Sequence, residues 1–144
     1  MTVRLRGRRG LPRVDRAGIR SSARRILRAL GHTRSELSIS LVDDVSIAAF
    51  NASYRGVEGP TDVLSFSLVE GKHASHRGVL LGDVVVSLET ASRQARRARR
   101  SLEEEVVRLL IHGTLHLLGH DHEREQEART MRAEERRILR AIRT

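Results

Sequence analysis

Apolar residues recur along the chain with two different spacings, and together they predict nine elements in the order β-α-β-α-β-β-α-α-α. Alternating apolar positions are typical of strands, whereas apolar positions three and four residues apart are typical of helices. Strands are predicted at 3–6, 36–42, 62–69 and 79–86, and helices at 15–30, 45–53, 87–99, 102–118 and 123–143. The sequence therefore predicts one small α/β domain, with a mixed four-stranded sheet and about five helices packed on it.

The helix predicted at 102–118 is apolar on most sides but carries one polar stripe. Glu105, Arg108, His112 and His116 recur along it at helical spacing. A buried helix with a single polar stripe is expected to face a cleft or a ligand on that side. We therefore expect the functional site to lie along this helix.

The stripe leads into a run of histidines with the spacing of a metal site. His112 and His116 are four residues apart, so they share one face of the helix. Two imidazole nitrogens on one zinc ion lie roughly 3.4 Å apart, which such a pair can reach. Gly119 is predicted to end the helix and turn the chain back. This turn favours His122 as the third ligand, with His120 as the alternative.

The spacing H-x-x-x-H-x-x-G-x-x-H is that of the metzincin metalloproteases, with one exception. Gly113 stands where those enzymes carry the glutamate that activates water. The metal scaffold is therefore predicted without the proteolytic base. A lone histidine on an apolar helix is more often an ordinary core or surface residue, but three at ligand spacing indicate a metal site.

Two further histidines, His73 and His76, lie between the strands predicted at 62–69 and 79–86. We interpret them as loop residues rather than ligands.

Three segments of the chain have the form of family motifs. The first is HGTLHLLGHDH, at 112–122. The second is NASYR at 51–55 followed by PTDVLSF at 60–66, and the third is GDVVVS at 82–87. Together they resemble the YbeY family of endoribonucleases, which are rRNA maturation factors, and the match spans roughly 36–123. The chain departs from the family pattern at His120, where tyrosine is usual, and at Ser67, where proline is frequent.

The resemblance implies a zinc-dependent, single-strand-specific endoribonuclease acting in 16S rRNA 3′-end maturation and ribosome quality control. It implies a single metal-dependent hydrolase domain over residues 1–144, with one Zn²⁺ held by His112, His116 and His122. Another divalent metal is compatible with three imidazoles. Arg55 and His116 are the candidate catalytic residues, Arg55 as a phosphate-binding group. Asp62, Ser65 and Asp83 lie near strand ends, where they could orient the histidines or serve only in turns and caps.

Composition agrees with a polyanionic partner. The formal net charge is +9, and Lys72 is the only lysine among 27 basic residues. A small domain this basic is expected to bind nucleic acid. The resemblance implies that the partners are an rRNA precursor and the ribosome or small-subunit assembly factors, and no DNA is predicted. The arginine-rich helices at 87–99 and 123–143 could follow an RNA backbone or could be solvated faces. With only three aromatic residues, recognition is expected to be mainly electrostatic.

Other features exclude several classes of protein. The chain has no cysteine, so disulfides and thiolate zinc sites are absent. No apolar run approaches the ~18 residues of a membrane span, and no apolar stretch follows the basic N-terminus. We expect a cytoplasmic protein without membrane partners. Two alternative functions stay open: a non-catalytic, zinc-containing RNA-binding assembly factor, and a metal hydrolase of non-RNA substrates.

Overall fold

A computed structural model describes residues 1–68, 80–120 and 123–143 of the chain. Four strands and five helices follow one another in the predicted order. The strands are β1 (Thr2–Gly7), β2 (Glu36–Val42), β3 (Val63–Ser67) and β4 (Leu80–Ser87). The helices are α1 (Arg16–Ala29), α2 (Asp44–Arg55), α3 (Leu88–Ala98), α4 (Leu102–Leu117) and α5 (Glu125–Arg143). The predicted α/β class, the four-stranded sheet and the five helices are confirmed.

The four strands form one mixed sheet in the order β1-β2-β4-β3. β1, β2 and β4 run parallel, and β3 pairs antiparallel with β4, with Ser65 opposite Val84. The antiparallel strand therefore lies at one edge of the sheet. This placement matters for function because β3 and the end of α2 border the same cleft as α4.

The two faces of the sheet are covered differently. The larger core lies on one face, where Leu37, Ile39 and Leu41 of β2 belong to one buried cluster with residues of α1, α4 and α5. The other face carries a smaller cluster, formed by Val42, Ile47, Leu64 and Val85 with Phe66 packed against it. Ile47 is the residue of α2 in this cluster, so α2 covers the second face.

Side chains cap the N-termini of two helices that border the site. Asp43 caps α2, and its side chain accepts a hydrogen bond from the Ser46 N–H. Ser101 and Glu104 form a capping box at the start of α4. The polar connection with His73 and His76 lies outside the described residues. In the part of the chain that the structure describes, no helix combines the length and the apolar character needed to cross a membrane.

Candidate active site

α4 lies against the sheet at Gly113. A Cβ atom at this position would come within 2.8 Å of Val84 Cγ1 and 3.0 Å of Ser65 Oγ. The Ser65 hydroxyl also donates a hydrogen bond of 2.8 Å to the Gly113 carbonyl. The helix therefore approaches β3 and β4 so closely that any side chain here would have to displace side chains of the two strands. This contact explains why the position that carries a glutamate base in metzincins is glycine in this chain.

His112 and His116 lie on successive turns of α4, and both line one cleft. Their Nε2 atoms are 3.2 Å apart, and their rings are inclined at 72°. Two imidazole nitrogens at this distance must share a proton or a cation, because two facing lone pairs repel each other. The separation is close to the roughly 3.4 Å between two nitrogens bound to one zinc ion. The two Nε2 atoms are therefore spaced as two ligands of one metal ion.

Glu135 of α5 contacts the first of these histidines. Its Oε1 lies 2.9 Å from Nδ1 of His112. A carboxylate only accepts hydrogen bonds, so His112 makes this contact with its proton on Nδ1. Nε2 then keeps its lone pair and points toward His116. A carboxylate that holds a histidine in this tautomer is the usual neighbour of a metal-binding imidazole.

The predicted turn after α4 is present. Gly119 has φ 97°, the His120 N–H donates to the Leu115 carbonyl, and the Gly119 N–H donates to the His116 carbonyl. These two bonds form a Schellman motif, in which glycine commonly adopts the left-handed conformation without strain. The chain therefore leaves the helix axis directly after the histidine pair.

The two candidates for the third ligand differ in what the structure describes. His120 does not line the cleft. It lies near Glu134, whose pKa is held below its ordinary value mainly by a hydrogen bond from Arg137. His122 lies outside the described residues. Within 1–68, 80–120 and 123–143, no group of three His, Asp or Glu side chains is arranged to hold a metal.

The histidines open into a cleft of about 640 Å³ between α2, β3 and α4. Arg55, predicted to follow α2, is instead the last residue of that helix, and its side chain lines the cleft. The salt bridges among the described residues do not include Arg55. The structure thus brings Arg55, His112 and His116 together in one cleft. The guanidinium of Arg55 can bind an anionic group beside the two imidazoles.

The polar stripe of α4 does not face one cleft along its whole length. Glu105 is buried and forms an ion pair of 2.9 Å with Arg100. Arg108 borders a separate cavity beside Arg132 and Arg136 of α5. The neighbouring chain segments cover the first half of the stripe, which periodicity on α4 alone does not reveal. The cleft is therefore formed by the second half of the helix.

The three polar residues near strand ends have different positions. Asp62 lines the cleft, but its carboxylate accepts hydrogen bonds from the Val63 N–H and the Gln94 amide. Ser65 holds α4 against β3, as described above. Asp83 lies in β4 opposite Phe66 and does not line the cleft. Asp62 and Ser65 thus fix the walls of the site through contacts other than the histidine rings.

Two acidic residues at the site were missed by sequence reasoning. Glu123 lines the cleft, and its only signal in the sequence is its position directly after the histidine run. Glu135 stands on a helix rich in arginine, where a glutamate usually indicates a local ion pair. Its contact with His112 spans 23 residues of sequence, so no local pattern could have identified it.

Comparisons with known proteins found a family and relatives that match most of the chain. The family described as endoribonuclease YbeY matches residues 11–143. A relative from Anaeromyxobacter sp. named endoribonuclease YbeY is 48% identical over 141 residues, which are 98% of this chain and 72% of the relative. A relative of the same name from Geobacter metallireducens is 40% identical over 96% of this chain and 94% of its own length.

The fold also has a counterpart among solved structures. A solution structure of a Thermotoga maritima protein superposes with a TM-score of 0.65, covering 97% of this chain and 88% of that protein. The two sequences are 23% identical, so this likeness concerns the fold. The agreement extends to the whole arrangement of sheet and helices that positions α4 and the cleft.

Proposed function

This chain belongs to the endoribonuclease YbeY family, and on that premise we propose that it is a zinc-dependent endoribonuclease specific for single strands. We further propose that it acts in the cytoplasm in 16S rRNA 3′-end maturation and ribosome quality control, as a single hydrolase domain. The observation that carries the proposal is the pair of Nε2 atoms, 3.2 Å apart, in a cleft that also contains Arg55. The two nitrogens can bind one cation, and the positive charge of Arg55 can bind a phosphate.

The metal is assigned to His112, His116 and His122. The first two have the spacing that one ion requires, and His122 is the third on the strength of the turn at Gly119. When bound, the ion supplies Lewis acidity and the means of activating water near neutral pH. Glu135 favours the tautomer of His112 that has its proton on Nδ1, and in this tautomer Nε2 of His112 can serve as a metal ligand.

Arg55 binds the scissile phosphate in this account. Its guanidinium can form two parallel hydrogen bonds to phosphate oxygens and stays charged at all working pH values. Hydrolysis builds negative charge on the phosphoryl oxygens, and a fixed cation beside them stabilises that charge more than the ground state. Arg55 lies at the end of α2 and lines the same cleft as His112 and His116, so it can hold a phosphate beside the histidine pair.

The absence of a glutamate at position 113 separates the proposed activity from proteolysis. A glutamate side chain there would clash with side chains of β3 and β4, because α4 contacts both strands at this position. The net charge of +9 suits an RNA substrate and the ribosomal particles that contain it. The two features together favour a phosphodiester substrate over a peptide.

The direct test is cleavage of labelled single-stranded RNA by the zinc-loaded protein, with Arg55→Lys and Arg55→Ala beside wild type. We expect wild type to cut RNA and to leave an unstructured peptide intact. Loss of a group that stabilises the transition state costs about 10²–10³-fold in rate, so Arg55→Ala should fall by that factor. Arg55→Lys should recover only part of it, because lysine cannot bind a phosphate through two parallel bonds. Peptide cleavage, or zinc binding without RNA cleavage, would favour one of the two alternative functions.

A further inference from the structure

All three aromatic side chains of the chain meet at one place. The chain has one tyrosine, two phenylalanines and no tryptophan. Phe50 and Tyr54 lie one turn apart on α2 and are stacked, with ring centroids 6.2 Å apart. Phe66 of β3 completes the group, edge-on to Tyr54 at 5.1 Å and tilted against Phe50 at 6.2 Å. We call these three residues the aromatic cluster.

The aromatic cluster stands at the surface rather than in the core. Tyr54 is 69% exposed and Phe50 is 37% exposed, while Phe66 packs on the smaller apolar cluster beneath them. Burying aromatic rings would stabilise the fold, since each carries a large apolar area. Their exposure beside a cleft therefore indicates a surface that is used for binding.

The aromatic cluster joins two cavities. Tyr54 and Phe66 line the cleft that contains His112 and His116. Phe50 and Tyr54 also line a groove of about 630 Å³ between α2 and the exposed part of the sheet. Arg6 and Arg8 also line this groove, and the Arg8 guanidinium forms an ion pair of 3.2 Å with Asp43. A path thus runs from two arginines, across Tyr54, into the cleft with Arg55.

We propose that Tyr54, supported by Phe50 and Phe66, is a stacking platform for an unpaired nucleobase of RNA whose backbone passes from the groove into the cleft. The proposal rests on the proposed endoribonuclease function and names the base-binding part of that site. Proteins that bind single strands combine a basic groove for the backbone with exposed aromatic rings for the bases. The three arginines and the aromatic cluster supply both elements.

The platform also accounts for a preference for single strands. A base inside a duplex is already covered on both faces by its neighbours, whereas an unpaired base has a free face for Tyr54. Stacking needs no particular base, since every base presents a π-face. Recognition by this platform is therefore selective for unpaired RNA and tolerant of sequence.

The composition of the chain provides a specific probe. Tyr54 is the only tyrosine and tryptophan is absent, so intrinsic tyrosine emission reports on this ring alone. A short single-stranded oligouridylate should quench that emission on saturation. An abasic ribose-phosphate oligomer of equal length should bind at low salt without quenching, and so should an RNA duplex. Equal quenching by the abasic oligomer, or binding of oligouridylate without quenching, would overturn the proposal.

Variants of Tyr54 test the energetic role of the ring. Stacking of one base corresponds to about a 5- to 150-fold change in affinity, so Tyr54→Ala should weaken oligouridylate binding by that factor. Tyr54→Phe should bind like wild type, and Tyr54→Leu should bind like Tyr54→Ala. Val45→Ala is the matched control, because Val45 is apolar, 79% exposed and on the same helix. If Tyr54→Leu bound RNA as well as wild type, ring stacking would not be the source of the affinity, and the stacking platform would be overturned.

The platform and the catalytic proposal can fail separately. His116→Ala should lose cleavage but keep quenching by oligouridylate, since the ring of Tyr54 is unchanged. A wild-type protein that shows quenching by oligouridylate alone but does not cut RNA would support the platform and contradict the proposed function. A wild-type protein that cuts RNA, but whose tyrosine emission is not quenched by oligouridylate, would support the proposed function and contradict the platform.

Discussion

Nδ1 of His112 lies 2.9 Å from Oε1 of Glu135, so the last helix of the fold determines the tautomer of the first candidate metal ligand. Loss of a carboxylate in this position typically weakens metal affinity 10- to 100-fold. We predict a zinc affinity about 10–100-fold lower in Glu135→Ala, measured by competition with a chelator. Glu135→Gln should lose less, because its amide oxygen still accepts the hydrogen bond.

Glu134 provides the matched control for that measurement. It is adjacent in sequence, but its carboxylate is hydrogen-bonded to Arg137. Glu134→Ala should bind zinc like wild type. A loss of zinc affinity in Glu134→Ala and none in Glu135→Ala would contradict the assignment of His112 as a ligand held by Glu135.

The close approach at Gly113 predicts a stability cost for the smallest possible side chain. Gly113→Ala places a methyl group 2.8 Å from Val84 Cγ1. Overpacking costs about 1–3 kcal/mol, and the higher helix propensity of alanine offsets about 1 kcal/mol of this. We expect a net loss of up to about 2 kcal/mol in the free energy of unfolding by urea.

A double-mutant cycle identifies the cause of that loss. Val84→Ala removes the methyl group that the new side chain would contact, so the two changes together should cost less than their sum. Simple additivity would show that the contact between α4 and β4 is not the source of the strain.

Arg99 ends α3 in the left-handed conformation, with φ 56°. A side chain in this conformation is strained by about 1–2 kcal/mol, and glycine avoids that strain while losing more entropy on folding. We predict that Arg99→Gly raises the free energy of unfolding by about 0.5–1 kcal/mol. Arg96→Gly, within the same helix, should instead lower it by about 1 kcal/mol. Destabilisation by both substitutions to the same extent would contradict this account.

Asp44 links α2 to α3 and should make stability depend on pH. Burial by itself would raise the pKa of Asp44, but hydrogen bonds from Ser87, Thr90 and Arg93 outweigh it and hold the pKa below its ordinary value of 3.8. A group with a lowered folded-state pKa stabilises the fold above its unfolded pKa, and this contribution is lost as the pH falls through the folded value.

We therefore predict that Asp44→Asn lowers the free energy of unfolding by about 1–3 kcal/mol at neutral pH. The difference from wild type should shrink as the pH is lowered below 3.8. Urea unfolding of both proteins from neutral pH to below pH 3.8 measures this difference. A difference that stays constant with pH would show that the charge of Asp44 has no part in the effect.

Local patterns in the sequence predicted the elements and the histidine pair, but not their surroundings. Periodicity of two and of about four residues identifies strands and helices because burial acts on one face of each. The strand order β1-β2-β4-β3 depends on which connections cross the sheet, and nothing in a single strand records it. The contact between His112 and Glu135 has the same character, since it joins α4 to α5.

The aromatic residues illustrate a second limit of sequence reasoning. Their number alone indicates weak base stacking, and this expectation treats Phe50, Tyr54 and Phe66 as separate residues. Pairing of β3 with β4 places Phe66 beside α2, and the three rings then form one surface. The tertiary structure therefore places the three residues in one surface, which their number in the sequence does not indicate.

The central claim is that the histidine pair on α4 holds a catalytic metal ion. Its most direct test is the zinc content of purified wild type and His116→Ala, measured on the same samples that are assayed for cleavage of single-stranded RNA. The account predicts about one zinc per wild-type chain and cleavage of RNA, with both lost together in His116→Ala. Full zinc content in His116→Ala, or RNA cleavage by a variant that binds no metal, would contradict it.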